Sequence, residues 1–337
     1  MRKIVFLCIV ILEIATISFL AGKIYLERSQ VLGENVSINP ILKDDVIFPN
    51  QDKESNLKYF YELAPNTIIN NKPTWLPSDY SYTITTNTDN LNERFDYSVE
   101  KNPDVFRIAT IGDSHTLGAY VNTKDNYPER LEDMLNDNSL CKTSNKFEVI
   151  NLGVGGYDIE YAVHRFKVRG QKYNPDMVLW FIKNDDFSVL NELIKPKIDQ
   201  YREEISADQA LLTQFQREGI FSPWSIKASQ ELMAELGEEG VLDYSKEALW
   251  RMRDYYKGKL VFITFSHSQK RALEDSRLAI LQSFAKAISH TYIYDGLTLS
   301  YDKLEDGSHP TGKGYATIVG WVFDYLTQNG FVPCRLP

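Results

Sequence analysis

Cysteine and histidine are scarce in this chain of 337 residues, which contains three cysteines and five histidines. So few cysteines exclude a disulfide scaffold and a zinc site built on cysteine. Cys8 lies in an apolar run, so only Cys141 and Cys334 could form a bridge, and the sequence leaves that pairing open. A Gly-Lys-Ser or Gly-Lys-Thr phosphate loop is also missing from the sequence, which argues against a P-loop nucleotide site.

Basic residues are outnumbered as well. The chain has 37 lysines and arginines against 46 aspartates and glutamates, a net charge of −9. A nucleic-acid partner is therefore not expected, because a phosphate backbone needs a basic face. Hydrophobic residues make up 43% and charged residues 25%, which is ordinary for a folded protein and excludes wholesale disorder. The length suits one sizeable domain with extensions.

The N-terminal segment, residues 1–22, predicts a membrane anchor. Arg2 and Lys3 precede an apolar run of about 19 residues, Ile4 to Gly22, close to the length that spans a bilayer. The basic residues before the run favour a cytoplasmic N-terminus, with the rest of the chain on the far side. A cleaved signal peptide is the alternative, although Phe19-Leu20-Ala21 is a poor cleavage site. We expect a single-pass, membrane-anchored protein with an extracytoplasmic domain, or a secreted one if the segment is cleaved.

Residues 23–103 read as a tether followed by a β-rich extension. This region is rich in Asn, Asp, Pro, Thr and Tyr. Tyr80, Tyr82, Ile84 and Thr86 alternate with other residues, as in a half-buried strand. We expect the extension to pack on the main domain that follows it.

Residues 104–337 predict an α/β domain with a parallel five-stranded sheet. Short apolar runs alternate with segments of helical spacing, and this order places helices on both faces of a parallel sheet. The predicted strands are 106–111, 147–152, 177–182, 259–265 and 291–295. An insertion at about 187–242 carries charged helical stretches and forms either a lid or a solvated helical hairpin.

One strand end and the start of the last predicted helix carry the residues of a nucleophilic site. Ser114 follows the first strand in Gly112-Asp113-Ser114, where a glycine permits a tight turn that presents the hydroxyl. A serine hydroxyl needs a base to become a nucleophile. His309 stands just before the last predicted helix, three residues after Asp306, a spacing that lets the carboxylate orient the imidazole.

Donors for an oxyanion come after the second and third strands. The glycine-rich stretch that begins at Gly153 can turn a backbone N–H towards the site, and the Asn184 amide can donate to a developing negative charge. Asp113 is expected to bond loop amides. Asp185 and Asp186 could serve paired-carboxylate chemistry or bind a hard metal ion, but no third partner is apparent in the sequence.

In these motifs the chain resembles the SGNH/GDSL-type hydrolases from Phe106 to about Leu326. Gly112-Asp113-Ser114 matches the nucleophile block of that family, and Asp306 with His309 matches its Asp-x-x-His block. The resemblance implies a flavodoxin-like three-layer αβα sandwich, with Gly153 and Asn184 as oxyanion donors beside the Ser114 N–H. Ile182 replaces the glycine that the family usually has two residues before the asparagine, and His115 follows the serine in place of an apolar residue.

The resemblance implies a serine esterase that acts through an acyl-enzyme on Ser114. It requires no cofactor and no metal, and its substrates would be acyl lipids or O-acylated glycans. Location beyond the membrane favours O-acyl groups on cell-envelope glycans. Two alternatives stay open at this point: an O-acyltransferase that uses the same residues, and a non-catalytic envelope-binding protein on a hydrolase fold. The sequence identifies no protein partner.

Overall fold

A parallel five-stranded sheet forms the centre of the main domain. The computed structural model describes residues 47–49, 57–73, 75–141, 146–204, 223–265, 275–296 and 300–335. The strands of this sheet are β5 (Val105–Ile111), β6 (Lys146–Asn151), β7 (Met177–Phe181), β8 (Lys259–Phe265) and β9 (Thr291–Gly296). All four pairings are parallel, and each predicted strand lies within one residue of the observed bounds.

The strand order is β6-β5-β7-β8-β9. Counted within the main domain this is the order 2-1-3-4-5 of flavodoxin-like, doubly wound sheets. Such sheets bind ligands beyond the carboxyl ends of the strands, next to the first strand, where the chain reverses its direction of winding. In this protein the first strand is β5, so the rule directs attention to the loop that follows Ile111.

Helices cover both faces of the sheet. The helices are α1 (Ser114–Leu117), α2 (Tyr127–Asp137), α3 (Ile159–Arg165), α4 (Asn191–Glu204), α5 (Pro223–Tyr255), α6 (Asp275–Ala287) and α7 (Gly312–Gln328). Apolar side chains of α2 and α7 pack in one core cluster with the sheet. Side chains of α3, α6 and the second half of α5 pack in another. Two separate cores on either side of a sheet make a three-layer αβα sandwich.

The described parts of the predicted insertion are mainly helical. Helix α4 and the first half of α5 share a small apolar cluster with members such as Ile194 and Leu232. Helix α5 is kinked at Gly237, whose φ of 69° interrupts the helical backbone. Whether the insertion acts as a lid stays a prediction.

The N-terminal extension forms two short antiparallel pairs. Strand β1 (Ile47–Pro49) pairs with β2 (Tyr61–Leu63), and β3 (Ile68–Asn71) pairs with β4 (Tyr82–Thr85). Buried and half-buried residues alternate along β4, as the sequence pattern predicts. Side chains of β2 and β4 contribute to two apolar clusters that also contain main-domain residues.

The predicted anchor, residues 1–22, lies outside the described residues. Within the part of the chain that the structure describes, no helix has the length and apolar character needed to cross a membrane. Cys141 and Cys334, whose pairing the sequence leaves open, form a disulfide with a Cα–Cα distance of 4.1 Å. This bond ties the end of α2 to the C-terminal segment beyond α7.

Candidate active site

The loop after β5 presents Ser114 through a turn that only glycine can make. Gly112 has a φ of 144°, and a Cβ there would lie 2.7 Å from the Phe181 carbonyl oxygen. Asp113 then caps α1, because its carboxylate accepts a hydrogen bond of 2.9 Å from the His115 N–H. Ser114 is the first residue of α1, so its own N–H has no partner inside the helix.

His309 and Asp306 lie in the loop that precedes α7. The Asp306 carboxylate accepts hydrogen bonds from the backbone N–H of Ser308 at 2.9 Å and of His309 at 3.0 Å. Its other oxygen lies 2.5 Å from His309 Nδ1. These bonds fold the loop around the carboxylate and direct the imidazole, as the three-residue spacing predicts.

The structure brings Ser114, His309 and Asp306 into one hydrogen-bonded chain. His309 Nε2 lies 2.9 Å from Ser114 Oγ, although the two residues are 195 positions apart. With the Nδ1 proton donated to Asp306, Nε2 is free to accept the proton of the serine. Burial opposes ionisation of Asp306, but the interactions with the His309 ring and the two backbone N–H groups together outweigh it and lower the pKa of the carboxyl. This is the geometry of a nucleophile, a base and an orienting carboxylate.

A buried ion pair lies directly behind the serine. Lys183 Nζ is 2.6 Å from Asp113 Oδ2, and the two side chains are 4% and 6% exposed. Burial opposes both charges, yet Lys183 holds the pKa of Asp113 well below its ordinary value. The carboxylates of Asp113, Asp185 and Asp186 lie within 4.8 Å of one another, and the Lys183 ammonium contacts two of them. The pair ties the residue before Ser114 to the residue before Asn184.

Gly153, the predicted oxyanion glycine, uses its N–H in a hydrogen bond to a neighbouring side chain. Its N–H donates a hydrogen bond of 3.0 Å to the Asn151 side chain, so that donor is already engaged. A Cβ at Gly153 would clash with the backbone of Thr116 and Leu117, so the glycine is needed for close packing of the two loops. Gly155 lies nearer the serine, because a Cβ added there would be 3.9 Å from the Cβ of Ser114.

Asn184 follows the strand next to β5, and its oxyanion role stays a prediction. It follows β7, the strand that pairs with β5, and its side chain is partly exposed. It begins a short turn, Asp185–Phe187, and its carbonyl accepts a hydrogen bond of 3.1 Å from the Phe187 N–H. Ser114 and Asn184 therefore stand at neighbouring strand ends on the same edge of the sheet.

The extension reaches the site through two tyrosine hydroxyls. Tyr61 donates a hydrogen bond of 2.7 Å to the carbonyl of Gly155, and Tyr80 donates one of 2.6 Å to the carbonyl of Tyr120. Tyr120 has a φ of 67°, which is unfavourable for a residue with a side chain. Its ring lies 4.9 Å from the His309 ring, nearly perpendicular to it. Tyr120 thus forms one wall of the site.

The sequence analysis does not predict the Lys183–Asp113 pair or the position of Tyr120. The sequence does contain a signal for the pair, because Lys183 and Asp113 each follow an apolar strand and neighbouring parallel strands end at the same edge. Tyr120 carries none, because nothing in the sequence places its ring against residue 309. His164 and His290 belong elsewhere: His164 is buried against Phe60, with ring centroids 4.4 Å apart, and His290 precedes β9.

Fold and site together define a doubly wound α/β protein with a Ser–His–Asp triad at the carboxyl edge of its sheet. No known family profile matches the chain, and no curated protein is similar to it. Among solved structures, the chain is similar to a family 3 carbohydrate esterase of Clostridium thermocellum, with 15% identity and a TM-score of 0.39 over 66% of this chain and 95% of that one. An acetylxylan esterase from Geobacillus stearothermophilus, solved as a catalytic mutant, is 14% identical. Its TM-score is 0.41 over 71% of this chain and 100% of that one. A lipase/acylhydrolase from Enterococcus faecalis is 16% identical, with a TM-score of 0.37, over 69% of this chain and 100% of that one.

Proposed function

We propose that the protein is a carboxylic ester hydrolase that works through an acyl-enzyme on Ser114. The observation that carries the proposal is the continuous chain from Ser114 Oγ to His309 Nε2, at 2.9 Å, and from His309 Nδ1 to Asp306, at 2.5 Å. A helix cap or a surface histidine requires neither contact. A serine that only capped a helix would also have no reason to bond a histidine from the far end of the chain.

The reaction follows from the proton positions. His309 Nε2 takes the Ser114 proton while Oγ attacks the ester carbonyl, and the resulting imidazolium gives that proton to the departing alkoxide. Water then attacks the acyl-enzyme while His309 takes its proton, and the imidazolium returns that proton to Ser114 Oγ as the acid is released. Asp306 stays ionised throughout, because its pKa is lowered, and it stabilises the imidazolium of each step.

The tetrahedral oxyanion needs donors fixed before the reaction begins. We assign the Ser114 N–H, which has no partner within α1, and the Asn184 side-chain amide. We do not assign the Gly153 N–H, because it donates a hydrogen bond to the Asn151 side chain. Replacement of one oxyanion donor usually costs about 3 kcal/mol of barrier, so Asn184→Ala should retain measurable turnover.

We further propose that the domain acts outside the cytoplasm on O-acylated glycans or lipids of the cell envelope. Two features support the location: the basic and apolar character of residues 1–22, and the Cys141–Cys334 disulfide. Disulfides persist in oxidising compartments and are rare in the cytosol. The preference for envelope glycans follows from that location, where O-acylated polysaccharide is at hand.

Labelling with a fluorophosphonate tests the catalytic proposal directly. The purified protein should take up the probe on Ser114, while Ser114→Ala and His309→Ala should remain essentially unlabelled. Ser308→Ala is a matched control, because it removes a serine hydroxyl from the loop that carries His309 and leaves the triad intact. Labelling of Ser114→Ala at the wild-type rate, or no labelling of the wild type, would overturn the assignment.

A substrate panel then defines the ester. Acetyl, butyryl and longer esters of a chromogenic alcohol should be compared with O-acetylated glycans, and free acid should be measured with and without added sugar. We expect release of free acid to account for the ester consumed. Formation of acyl-sugar faster than free acid would show that water is not the preferred acceptor and that the hydrolase proposal is wrong.

A further inference from the structure

Three aromatic rings form a parallel stack that ends on the proposed base. His115 lies between Phe181, at a centroid distance of 5.3 Å and an interplanar angle of 23°, and His309, at 4.8 Å and 22°. Phe181 is the last residue of β7 and is fully buried. The stack therefore connects the rigid core of the sheet to the imidazole of His309 through the ring of His115.

His115 also bonds the loop that carries His309. Its Nε2 lies 3.3 Å from the Ser308 carbonyl, an acceptor, so Nε2 carries the proton. Its own carbonyl accepts a hydrogen bond of 3.0 Å from the Tyr315 hydroxyl on α7. Because His115 is adjacent to Ser114 in the chain and Ser308 is adjacent to His309, one side chain joins the nucleophile loop to the base loop.

The surroundings of His115 keep its ring uncharged. Burial, followed by the nearby Lys183 ammonium, lowers its pKa to about 4, although Asp113 opposes this. Two charged side chains face it, Asp113 with Oδ1 3.5 Å from Nδ1, and Lys183, which pairs with Asp113; the third facing group is the His309 ring. A neutral ring offers its face to the imidazolium that His309 becomes during the reaction, whereas a charged ring would repel it.

We propose that His115 is a positioning residue for His309, which holds the plane of the imidazole by stacking and the loop of residue 309 by its bond to Ser308. The proposal rests on the proposed esterase function. It assigns His115 a role in setting the 2.9 Å contact between Ser114 and His309, and no contact with substrate.

Two complementary substitutions separate the two contacts. His115→Phe keeps a stacked ring and loses the bond to Ser308, whereas His115→Gln keeps a donor and loses the ring. Each should lower kcat about tenfold and His115→Ala about a hundredfold, since a displacement near 1 Å can cost that much. KM should stay within about twofold, because binding groups are untouched. His164→Phe and His164→Gln are the matched controls, since His164 is also buried and packed on a ring but lies outside the site.

A rise in KM at constant kcat would show that His115 contacts substrate, and an unchanged kcat in all three variants would show that it positions nothing. Equal losses of kcat in the His164 variants would show that the effect comes from general destabilisation and not from positioning. Each variant is first compared with wild type by thermal unfolding.

A crystal structure of His115→Gln tests the positioning without any activity. We expect the His309 ring to turn and the Oγ–Nε2 contact to lengthen beyond hydrogen-bond distance, while an unmoved ring would overturn the inference. If wild-type protein fails to label with fluorophosphonate, the esterase proposal fails, and this structure still decides the role of His115.

Discussion

Lys183→Met should be among the most destabilising single substitutions in the main domain. Its ammonium lies 2.6 Å from Asp113, and the two side chains are 4% and 6% exposed. Water therefore cannot solvate either charge when its partner is removed. Removal of one partner from a buried pair costs about 3–5 kcal/mol, because an uncompensated charge is left in the interior. Asp186 adds to this cost, since its buried carboxyl lies beside Asp113 and its pKa is already raised by burial and by that neighbour.

The chain offers a matched control for this substitution. Lys257 and Asp254 are 3.7 Å apart, and their side chains are 73% and 77% exposed. Lys257→Met should change the free energy of unfolding by less than about 0.5 kcal/mol, because an exposed pair is screened by solvent. The double variant Lys183→Met with Asp113→Asn should recover much of the loss, since it removes the unpaired carboxylate of Asp113 and the amide oxygen can still cap the His115 N–H.

Urea unfolding at pH 7 and at pH 4 measures these differences. The low pKa of Asp113 means that the pair stabilises above the carboxyl's unfolded value and that this contribution is lost as the pH falls. In Lys183→Met the buried carboxyl can take up a proton in acid, so the deficit should shrink at pH 4. A Lys183→Met variant no less stable than Lys257→Met at pH 7 would refute the reasoning, as would a deficit that grows in acid.

Two further outcomes follow, one from the triad and one from the buried carboxyl of Glu132. Asp306→Asn should lower kcat about 10³- to 10⁴-fold, because the imidazole loses its orienting carboxylate. Asp302→Asn, four residues earlier, is the control and should keep a kcat near that of wild type. Equal kcat values for the two variants would contradict the role of Asp306. Burial raises the pKa of Glu132 from 4.5 to about 7, which corresponds to about 3 kcal/mol and makes wild type lose stability as the pH rises across that range. Glu132→Gln should flatten this fall in urea unfolding, and an unchanged slope would show that Glu132 ionises freely.

The fold could be predicted because inner strands of the sheet such as β7 are apolar runs buried on both faces. Runs such as 177–182 and 259–265 have no polar face to place in water, and the helical segments between them impose parallel pairing. The bounds then follow to within one residue. The triad could be predicted for a related reason, since the strand ends of a parallel sheet meet at one edge. Ser114 follows one strand, and His309 lies in the loop just before the last helix.

The donors of the oxyanion could not be assigned from sequence with the same success. A glycine-rich turn offers several N–H groups, and which of them stays free depends on hydrogen bonds that the sequence does not display. Gly153 is engaged by a side chain two residues earlier, whereas Gly155 approaches Ser114. The role of Tyr120 depends in the same way on a hydroxyl from residue 80, which bonds its carbonyl across 40 positions.

The extension shapes the site although it contributes no residue of the triad. A positive φ at a residue with a side chain costs about 1 kcal/mol or more, so Tyr120 keeps this backbone only where its surroundings enforce it. The Tyr80 hydroxyl, on the carbonyl of Tyr120, is one such constraint, and Tyr61 restrains the Gly155 carbonyl likewise. Glu62, which follows Tyr61 on β2 and is 4% exposed, forms ion pairs with Arg165 and Arg169 of the main domain. Because both restrained loops flank Ser114 and His309, the geometry of the site depends on the extension as well as on the sheet.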